Sequence, residues 1–159
     1  MFSFSVAFDP KQGIGINGRL PWHIKEELQL FKRNTLYKNI LMGQTTYDSL
    51  PRKLVDRNIF VVSWEEGYQP EGVVVIKDLI QFLETHKDDK EEYIICGGAS
   101  IYRQAYPYCK KAYVSFIKDE YKVDTHLDCF SINDWKIVEK VDYDKFVYCL
   151  LERKEDGTN

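Results

Sequence analysis

Short apolar runs of strand type alternate with helical patterns along most of this sequence. Phe2 to Phe8 alternates bulky with small residues at a period of two, and the apolar runs Asn39 to Met42 and Tyr93 to Cys96 each lead through glycine into a helical segment. Parallel strands need a crossover connection, which is usually a helix. The alternation therefore predicts an α/β fold whose central sheet is mostly parallel and is covered by helices on both faces.

The remaining strand patterns lie in the middle and at the end of the chain. They are Asn58 to Ser63, Val73 to Ile76, Tyr113 to Ile117, Trp135 to Val141 and Phe146 to Arg153. Only residues 142–145 separate the last two, and so short a connection joins antiparallel strands. We therefore expect an antiparallel C-terminal edge. The length of 159 residues predicts a single domain covering residues 1–159.

Composition excludes several classes of protein. Hydrophobic residues make up 44% of the chain, charged residues 30%, and the formal charge is -3, so neither disorder nor a nucleic-acid surface is indicated. The four cysteines form no C-x-x-C pair, the N-terminus lacks the pattern of a signal peptide, and no apolar run has membrane-spanning length. These features predict a cytoplasmic protein with reduced thiols. His23, His86 and His126 show no metal-ligand spacing, so no metal site is predicted.

The segment Leu20 to Thr35 carries the main candidate for chemistry. At 100° per residue from Ile24, Leu28 falls at about 40°, Leu30 at about 240° and Phe31 at about 340°, which defines a buried face. Glu27 falls at about 300°, between Leu30 and Phe31. Glu26 and the basic residues of the segment lie on the opposite arc. The helix therefore turns one carboxylate toward the apolar side.

A carboxylate on an apolar face has two interpretations. Most often it is a buried Glu paired with an Arg or with backbone donors, but it is also found in ligand clefts, where desolvation raises its pKa. Trp22 and Phe31 would bracket Glu27 with flat surfaces. Such a site suits a planar heterocycle whose protonated N–C–N edge gives two parallel hydrogen bonds to one carboxylate. We favour the ligand-binding interpretation.

Three further segments are candidates for binding anions or covering a ligand. Gly43 followed by Gln44, Thr45 and Thr46, and Gly97-Gly98 before a helix at Ala99 to Tyr106, are strand-to-helix turns of the kind that seat phosphates, although the full G-x-G-x-x-G fingerprint is absent. The glycine-rich run Asp9 to Arg19 is predicted to be a loop. In the basic loop from Pro51, Arg52 and Arg57 are equally consistent with a carboxylate clamp and with solvated surface residues.

Several motifs together resemble the dihydrofolate reductase family along nearly the whole chain. They are Val6-Ala7, Ile14-Gly15, L-P-W at Leu20 to Trp22, F-K-R-N-T at Phe31 to Thr35, Met42-Gly43, T-Y-D-S at Thr46 to Ser49, Arg57-Asn58, I-C-G-G-A-S-I-Y at Ile95 to Tyr102, and D-T-H at Asp124 to His126. The resemblance implies an eight-stranded, mostly parallel sheet and NADPH-dependent reduction of 7,8-dihydrofolate to tetrahydrofolate.

The resemblance also implies roles for individual residues. Glu27 would bind the pterin 2-amino group and N3 as the catalytic acid residue, and Trp22 would orient a water. Substrate contacts are implied for Ser5, Val6, Glu27, Leu28, Phe31, Leu50, Arg52, Leu54, Arg57 and Ser115. Cofactor contacts are implied for Ala7, Gly13, Ile14, Gly15, Gly18, Arg19, Leu20, Gln44, Thr45, Thr46, Val62, Ser63, Lys77, Cys96, Gly97, Gly98, Ala99, Ser100, Ile101, Tyr102, Gln104 and Thr125. Dihydrofolate and antifolate inhibitors are the implied partners of a monomer that binds neither nucleic acid nor membrane.

One departure and two alternatives accompany the resemblance. Gln44 stands where the family usually has Arg or Lys against the 2′-phosphate of NADPH, which predicts weaker discrimination against NADH. The pyrimidine reductases of riboflavin biosynthesis share the fold but need no acid on this helix, so Glu27 argues against that activity. A catalytically silent folate- or nucleotide-binding protein is the third reading of the same motifs.

Overall fold

The computed structural model describes residues 1–155, so the last four residues of the predicted domain, 156–159, lie outside the described part. The strands are β1 (Phe2–Phe8), β2 (Gly13–Gly15), β3 (Asn39–Gly43), β4 (Asn58–Val62), β5 (Val73–Ile76), β6 (Tyr93–Ile95), β7 (Cys109–Ile117), β8 (Thr125–His126), β9 (Trp135–Asp142) and β10 (Phe146–Arg153). The α-helices are α1 (Lys25–Thr35), α2 (Gln44–Asp48), α3 (Leu79–His86) and α4 (Ala99–Ala105). Short 3₁₀ turns occupy Tyr106–Tyr108 and Ile132–Asp134.

Eight strands form the central sheet in the order β5-β4-β3-β6-β1-β7-β10-β9. The pairs on the β5 side and around β1 are parallel, whereas β10 is antiparallel to both β7 and β9. The predicted mostly parallel sheet with an antiparallel C-terminal edge is thus confirmed. Because β10 pairs between β7 and β9, the outermost position at this edge belongs to β9.

The alternation in β1 separates the two layers of the core. Phe2, Phe4, Val6 and Phe8 pack on the face that also contacts α3 and α4, while Ala7 belongs to the opposite layer. That opposite layer includes Leu30 from α1. Helices therefore cover both faces of the sheet, and the small residues of β1 allow α1 to pack closely against it.

The order of the connections predicts a ligand crevice at the carboxyl ends of β6, β1 and β7. From β1 the chain first builds β3, β4 and β5 on one side, then returns to β6, and after α4 it crosses to β7 on the other side of β1. In open α/β sheets ligands bind where the direction of winding reverses, beyond the carboxyl ends of the strands. We therefore expect the ligand crevice beside β1.

Some boundaries differ from the sequence prediction. The run Asp9 to Arg19 is not wholly a loop, because β2 lies inside it and pairs with β8, more than a hundred residues later. Gly43 is the N-cap of α2, and no side-chain cap bond is formed there within residues 1–155. Asp78 is the N-cap of α3, and its side chain accepts a hydrogen bond from the backbone N–H of Gln81.

No helix within residues 1–155 combines the length and apolar character required to cross a membrane.

Candidate active site

Glu27 lies in the first turns of α1 with its carboxylate in a largely desolvated position. It receives no hydrogen bond or ion pair from any residue in the range 1–155. Burial alone raises the pKa of this carboxyl from its ordinary value of 4.5 to about 7. The side chain is nevertheless still partly accessible. A buried acid that opens toward solvent and lacks a protein partner is suited to a ligand that supplies the missing donors.

This raised pKa has a consequence for stability. The carboxyl titrates near 4.5 when unfolded and near 7 when folded, so between these values the folded state binds more protons than the unfolded state. The free energy of unfolding therefore falls as pH rises through this window, by up to about 3 kcal/mol.

We predict that Glu27→Gln stabilises the ligand-free protein against urea at pH 8.5 by up to about 3 kcal/mol and at pH 5 by less than about 1 kcal/mol. The amide remains uncharged throughout, so it avoids the cost of ionising a desolvated group. Glu26→Gln, an exposed neighbour on the same helix, is the control and should change little at either pH. The difference in the free energy of unfolding between Glu27→Gln and the unmodified chain should depend on pH. A difference that is the same at both pH values would contradict the desolvated position of Glu27.

Trp22 contributes a second group that has no protein partner. Its indole is buried, and Nε1 is the one buried side-chain nitrogen or oxygen within residues 1–155 that makes no hydrogen bond. The ring packs edge to face on Tyr121, with a centroid distance of 5.3 Å. A buried donor without a partner destabilises a protein, and such groups are found where a ligand or an ordered water completes the bond.

The helical wheel is wrong for Leu28. It was expected on the buried face, yet Leu28 is 42% exposed, whereas Leu30 is buried as predicted. Phe31 has intermediate exposure. The reason is that α1 lies against the sheet along one side and borders the crevice along the other. Periodicity identifies apolar positions but does not distinguish a packed face from the wall of a ligand cleft.

Arg57 is fixed beside the C-terminal end of α1. Its Nε donates to Thr35 Oγ1 at 3.2 Å and its Nη1 donates to the carbonyl of Val55 at 3.0 Å. Thr35 Oγ1 in turn donates to the carbonyl of Phe31 at 2.7 Å. These bonds set the direction of the guanidinium and leave other N–H groups for a ligand. Arg52 is exposed and has no such tether within residues 1–155.

A buried tyrosine joins α4 to β1. Tyr102 OH donates to the carbonyl of Ser5 at 2.7 Å, which ties α4 to β1. Burial raises the pKa of Tyr102, and the nearby Cys96 and Glu27 raise it further. Ser115 is paired with the neighbouring Ala7 across β1 and β7.

The loop after β1 is held by one carboxylate. Asp9 Oδ1 accepts hydrogen bonds from the backbone N–H groups of Lys11 at 2.9 Å and Gly13 at 2.8 Å. Its Oδ2 accepts a hydrogen bond from the backbone N–H of Tyr121 at 3.1 Å. A Cβ added to Gly13 would lie 2.6 Å from a methyl group of Val123, so a larger residue would require the Val123 side chain to shift. The loop bearing Gly15 to Leu20 is thus anchored at its base beside the crevice.

The turn between β6 and α4 brings bare backbone to the crevice. Gly97 has a φ of 121°, which favours glycine, and its carbonyl accepts a hydrogen bond from Gly43 N at 3.0 Å. A Cβ added to Gly98 would lie 3.2 Å from Thr46 Oγ1. Among residues 1–155 no side chain caps the first N–H groups of α4. Helix-start N–H groups that no side chain caps fit the pyrophosphate of a dinucleotide.

Sequence reasoning did not identify Trp64, Leu79 and Ile80 as site residues. These three line a cavity of about 370 Å³ together with Lys77, Asp78 and Gln104. Trp64 is 69% exposed, in a turn-rich connection where a single tryptophan gives no periodic signal. The cavity forms only because the segments after β4 and β5 meet α3 and α4, so local sequence could not indicate it.

The implied substrate residues come from three parts of the fold. Ser5 and Val6 lie in β1 and Ser115 in β7, Glu27, Leu28 and Phe31 lie in α1, and Leu50, Arg52, Leu54 and Arg57 lie between α2 and β4. Leu50 and Leu54 are half-buried against the layer that contains Trp22. Arg52 is exposed, as is Leu28.

The implied cofactor residues follow the carboxyl ends of the strands. Ala7 lies in β1, Gly13, Ile14 and Gly15 form β2, and Gly18, Arg19 and Leu20 form the exposed loop after it. Gln44, Thr45 and Thr46 begin α2, Val62 ends β4 and Ser63 follows it, Lys77 follows β5, and Cys96, Gly97 and Gly98 follow β6. Ala99, Ser100, Ile101, Tyr102 and Gln104 belong to α4, and Thr125 lies in β8 opposite Gly15.

Within residues 1–155 no group of three or more His, Cys, Asp or Glu side chains could hold a metal ion.

Comparison with known proteins places these features in a family. The profile of the family described as dihydrofolate reductase matches residues 1–149. The dihydrofolate reductase of Mycoplasma genitalium is 38% identical over 147 residues, which cover 89% of this chain and 91% of the relative. That of Bacillus subtilis is 32% identical over 165 aligned positions, covering 99% and 97%. A solved dihydrofolate reductase from Enterococcus faecalis, complexed with NADP(H) and RAB-propyl, superposes with a TM-score of 0.86 at 26% identity, covering 98% of this chain and 97% of the other.

Proposed function

Because the chain belongs to the dihydrofolate reductase family, we propose that its crevice reduces 7,8-dihydrofolate to 5,6,7,8-tetrahydrofolate with Glu27 as the residue that binds the pterin ring. The observation that carries this proposal is the Glu27 carboxyl itself. It is desolvated, it has no hydrogen-bond partner within residues 1–155, and its pKa is about 7. A pterin offers two adjacent N–H donors, at N3 and at the 2-amino group, which match the two oxygens of one carboxylate.

NADPH, when bound, supplies the hydride that is added to C6 of the pterin. The residues that would hold it are the bare backbone at Gly97 and Gly98, the start of α2 at Thr45 and Thr46, and the cavity beside Lys77. The absence of side chains at the two glycines fits a pyrophosphate, and a cavity of about 370 Å³ accommodates an adenine ring.

The protein's own contribution to the chemistry is to prepare N5 for a proton. Glu27 selects the pterin tautomer by accepting from N3 and the 2-amino group, and its negative charge raises the basicity of the ring. Trp22 Nε1, buried and without a partner among residues 1–155, donates to the water that completes this network. Because the carboxylate binds the far side of the ring from N5, water is the immediate proton donor to N5.

Arg57 binds the other end of the substrate in this proposal. Two of its N–H groups are committed to Thr35 and Val55, and the others bind the α-carboxylate of the substrate's glutamate. Leu28, Leu50 and Leu54 form apolar walls between the two polar anchors. The partial exposure of these side chains in the free protein gives the substrate apolar area to bury.

One assay tests the proposed function. NADPH oxidation, followed by its absorbance on addition of dihydrofolate, should proceed and should be blocked by methotrexate. A pyrimidine reductase of riboflavin biosynthesis would leave dihydrofolate unchanged, and a silent binding protein would bind methotrexate without turnover.

We further propose that the protein acts as a single-domain monomer in the cytoplasm, with dihydrofolate and antifolates, but no nucleic acid, as its partners. Its mass in solution should then be close to 18.8 kDa.

A further inference from the structure

Gln44 and Ser63 are bound to each other at the corner where α2 meets the end of β4. Ser63 Oγ donates to Gln44 Oε1 at 2.6 Å and accepts from the backbone N–H of Glu65 at 3.1 Å. Gln44 Nε2 donates to Glu65 Oε2 at 3.3 Å. The two neutral donors at this corner are therefore already engaged, and one of them holds a carboxylate in place.

Lys77 is the cation of this corner. Its Nζ donates to the backbone carbonyl of Glu65 at 2.9 Å, so it lies next to the same residue. The segments 44–48 and 63–78 together carry five carboxylates and one cation. A dianionic phosphate placed here would gain one exposed ammonium partner and would be repelled by the surrounding carboxylates.

The adjoining cavity fits the adenosine end of a nucleotide. Trp64 is 69% exposed and lines the cavity of about 370 Å³ with Lys77 and Gln104. An exposed indole gives adenine a stacking surface. The 2′ position of the attached ribose would then lie near Glu65. A Glu or Asp that accepts from a ribose 2′-hydroxyl is the arrangement by which other dinucleotide sites bind NAD, whereas an Arg accommodates the 2′-phosphate.

From this corner we propose that Glu65 sets cofactor specificity and that the protein uses NADH as well as NADPH. This inference rests on the proposed function, because it takes the crevice as the dinucleotide site. Glu65 accepts a hydrogen bond from the 2′-hydroxyl of NADH and repels the 2′-phosphate of NADPH. Lys77 partly offsets that repulsion, so both cofactors bind.

The first test measures binding rather than turnover. Calorimetric titration with adenosine 2′,5′-bisphosphate and with adenosine 5′-monophosphate should give dissociation constants within about fivefold of each other, as expected for one exposed ion pair. Glu65→Gln should tighten the bisphosphate by about two- to fivefold, and this gain should shrink at high salt. Gln44→Arg should tighten binding of the bisphosphate by about 10- to 100-fold through charge-assisted hydrogen bonds.

A neighbouring carboxylate is the control. Glu66 is exposed and adjacent in sequence, and Glu66→Gln should leave the ratio of the two dissociation constants unchanged. If Glu66→Gln changes the ratio as much as Glu65→Gln does, general surface charge rather than Glu65 sets the preference, and the inference is overturned.

Turnover separates this inference from the proposed function. With dihydrofolate, the kcat/KM values for NADPH and for NADH should differ by less than about tenfold. The protein could instead reduce dihydrofolate with NADPH, prefer NADPH over NADH by more than a hundredfold, and keep the same preference after Glu65→Gln. That result would overturn the inference and keep the proposed function. A protein that oxidises neither cofactor in the presence of dihydrofolate overturns both.

Discussion

Glu27→Gln is expected to preserve the fold and to lower turnover of dihydrofolate at neutral pH on the order of a hundredfold or more. The amide has nearly the shape of the acid, but one of its two polar atoms is a donor that faces the donors of the pterin. The paired charge-assisted hydrogen bonds are lost, and with them the negative charge that makes N5 basic. The effect should appear mainly in kcat because the charge acts as N5 is protonated.

A pH profile distinguishes this explanation from general damage to the site. In Glu27→Gln, turnover should rise as pH falls, because a more acidic medium protonates N5 without help from the protein. KM for NADPH should remain close to that of the unmodified chain.

Glu26→Gln supplies the matched comparison, since Glu26 is exposed on the same turn of α1. It should leave turnover unchanged. Near-normal turnover in Glu27→Gln at neutral pH would remove Glu27 from the mechanism, and an equal loss in both variants would point to the charge of the helix rather than to the site.

Arg57→Leu is expected to raise KM for dihydrofolate by about 10- to 100-fold with a smaller change in kcat. Charged hydrogen bonds to a carboxylate contribute about 1.5–3 kcal/mol, and the glutamate tail does not change during the reaction. The guanidinium is already oriented by Thr35 and Val55, so little conformational freedom is lost on binding.

Two comparisons test the role of Arg57 itself. Arg52→Leu should change KM by no more than a few-fold, because Arg52 is exposed and untethered in the described part of the chain. Dihydropteroate, which lacks the glutamate, should bind the unmodified chain and Arg57→Leu with similar KM values. If Arg57→Leu weakens both substrates equally, the arginine acts by supporting α1 and not by binding the tail. Urea unfolding of the variant would then show the lost stability.

Local regularity in the sequence was sufficient for much of the fold. A period of two in β1 identified which residues are bulky and buried, and the repeated change from strand to helix identified a parallel sheet. The helical period of α1 separated the carboxylate of Glu27 from that of Glu26. These predictions succeeded because each depends on neighbours within a few residues, whose geometry a regular backbone determines.

Contacts between distant segments had no local signal. The pairing of β2 with β8, the bond between Gln44 and Ser63, and the cavity beside Trp64 each join segments that are far apart or unrelated in pattern. The exposure of Leu28 also depends on segments that are distant in sequence. An apolar residue on a helix looks the same in sequence whether the sheet or an open crevice lies opposite.

The sequence by itself determined the class of sheet, the inward direction of Glu27 and, through its motifs, the resemblance to dihydrofolate reductases. Only the tertiary structure decided how strongly Glu27 is desolvated, that Trp22 Nε1 has no partner within residues 1–155, and that Glu65 stands beside Gln44. The physical reason is that periodicity fixes the direction of a side chain relative to its own helix or strand. Desolvation and charge pairing depend instead on what the rest of the chain places around that side chain.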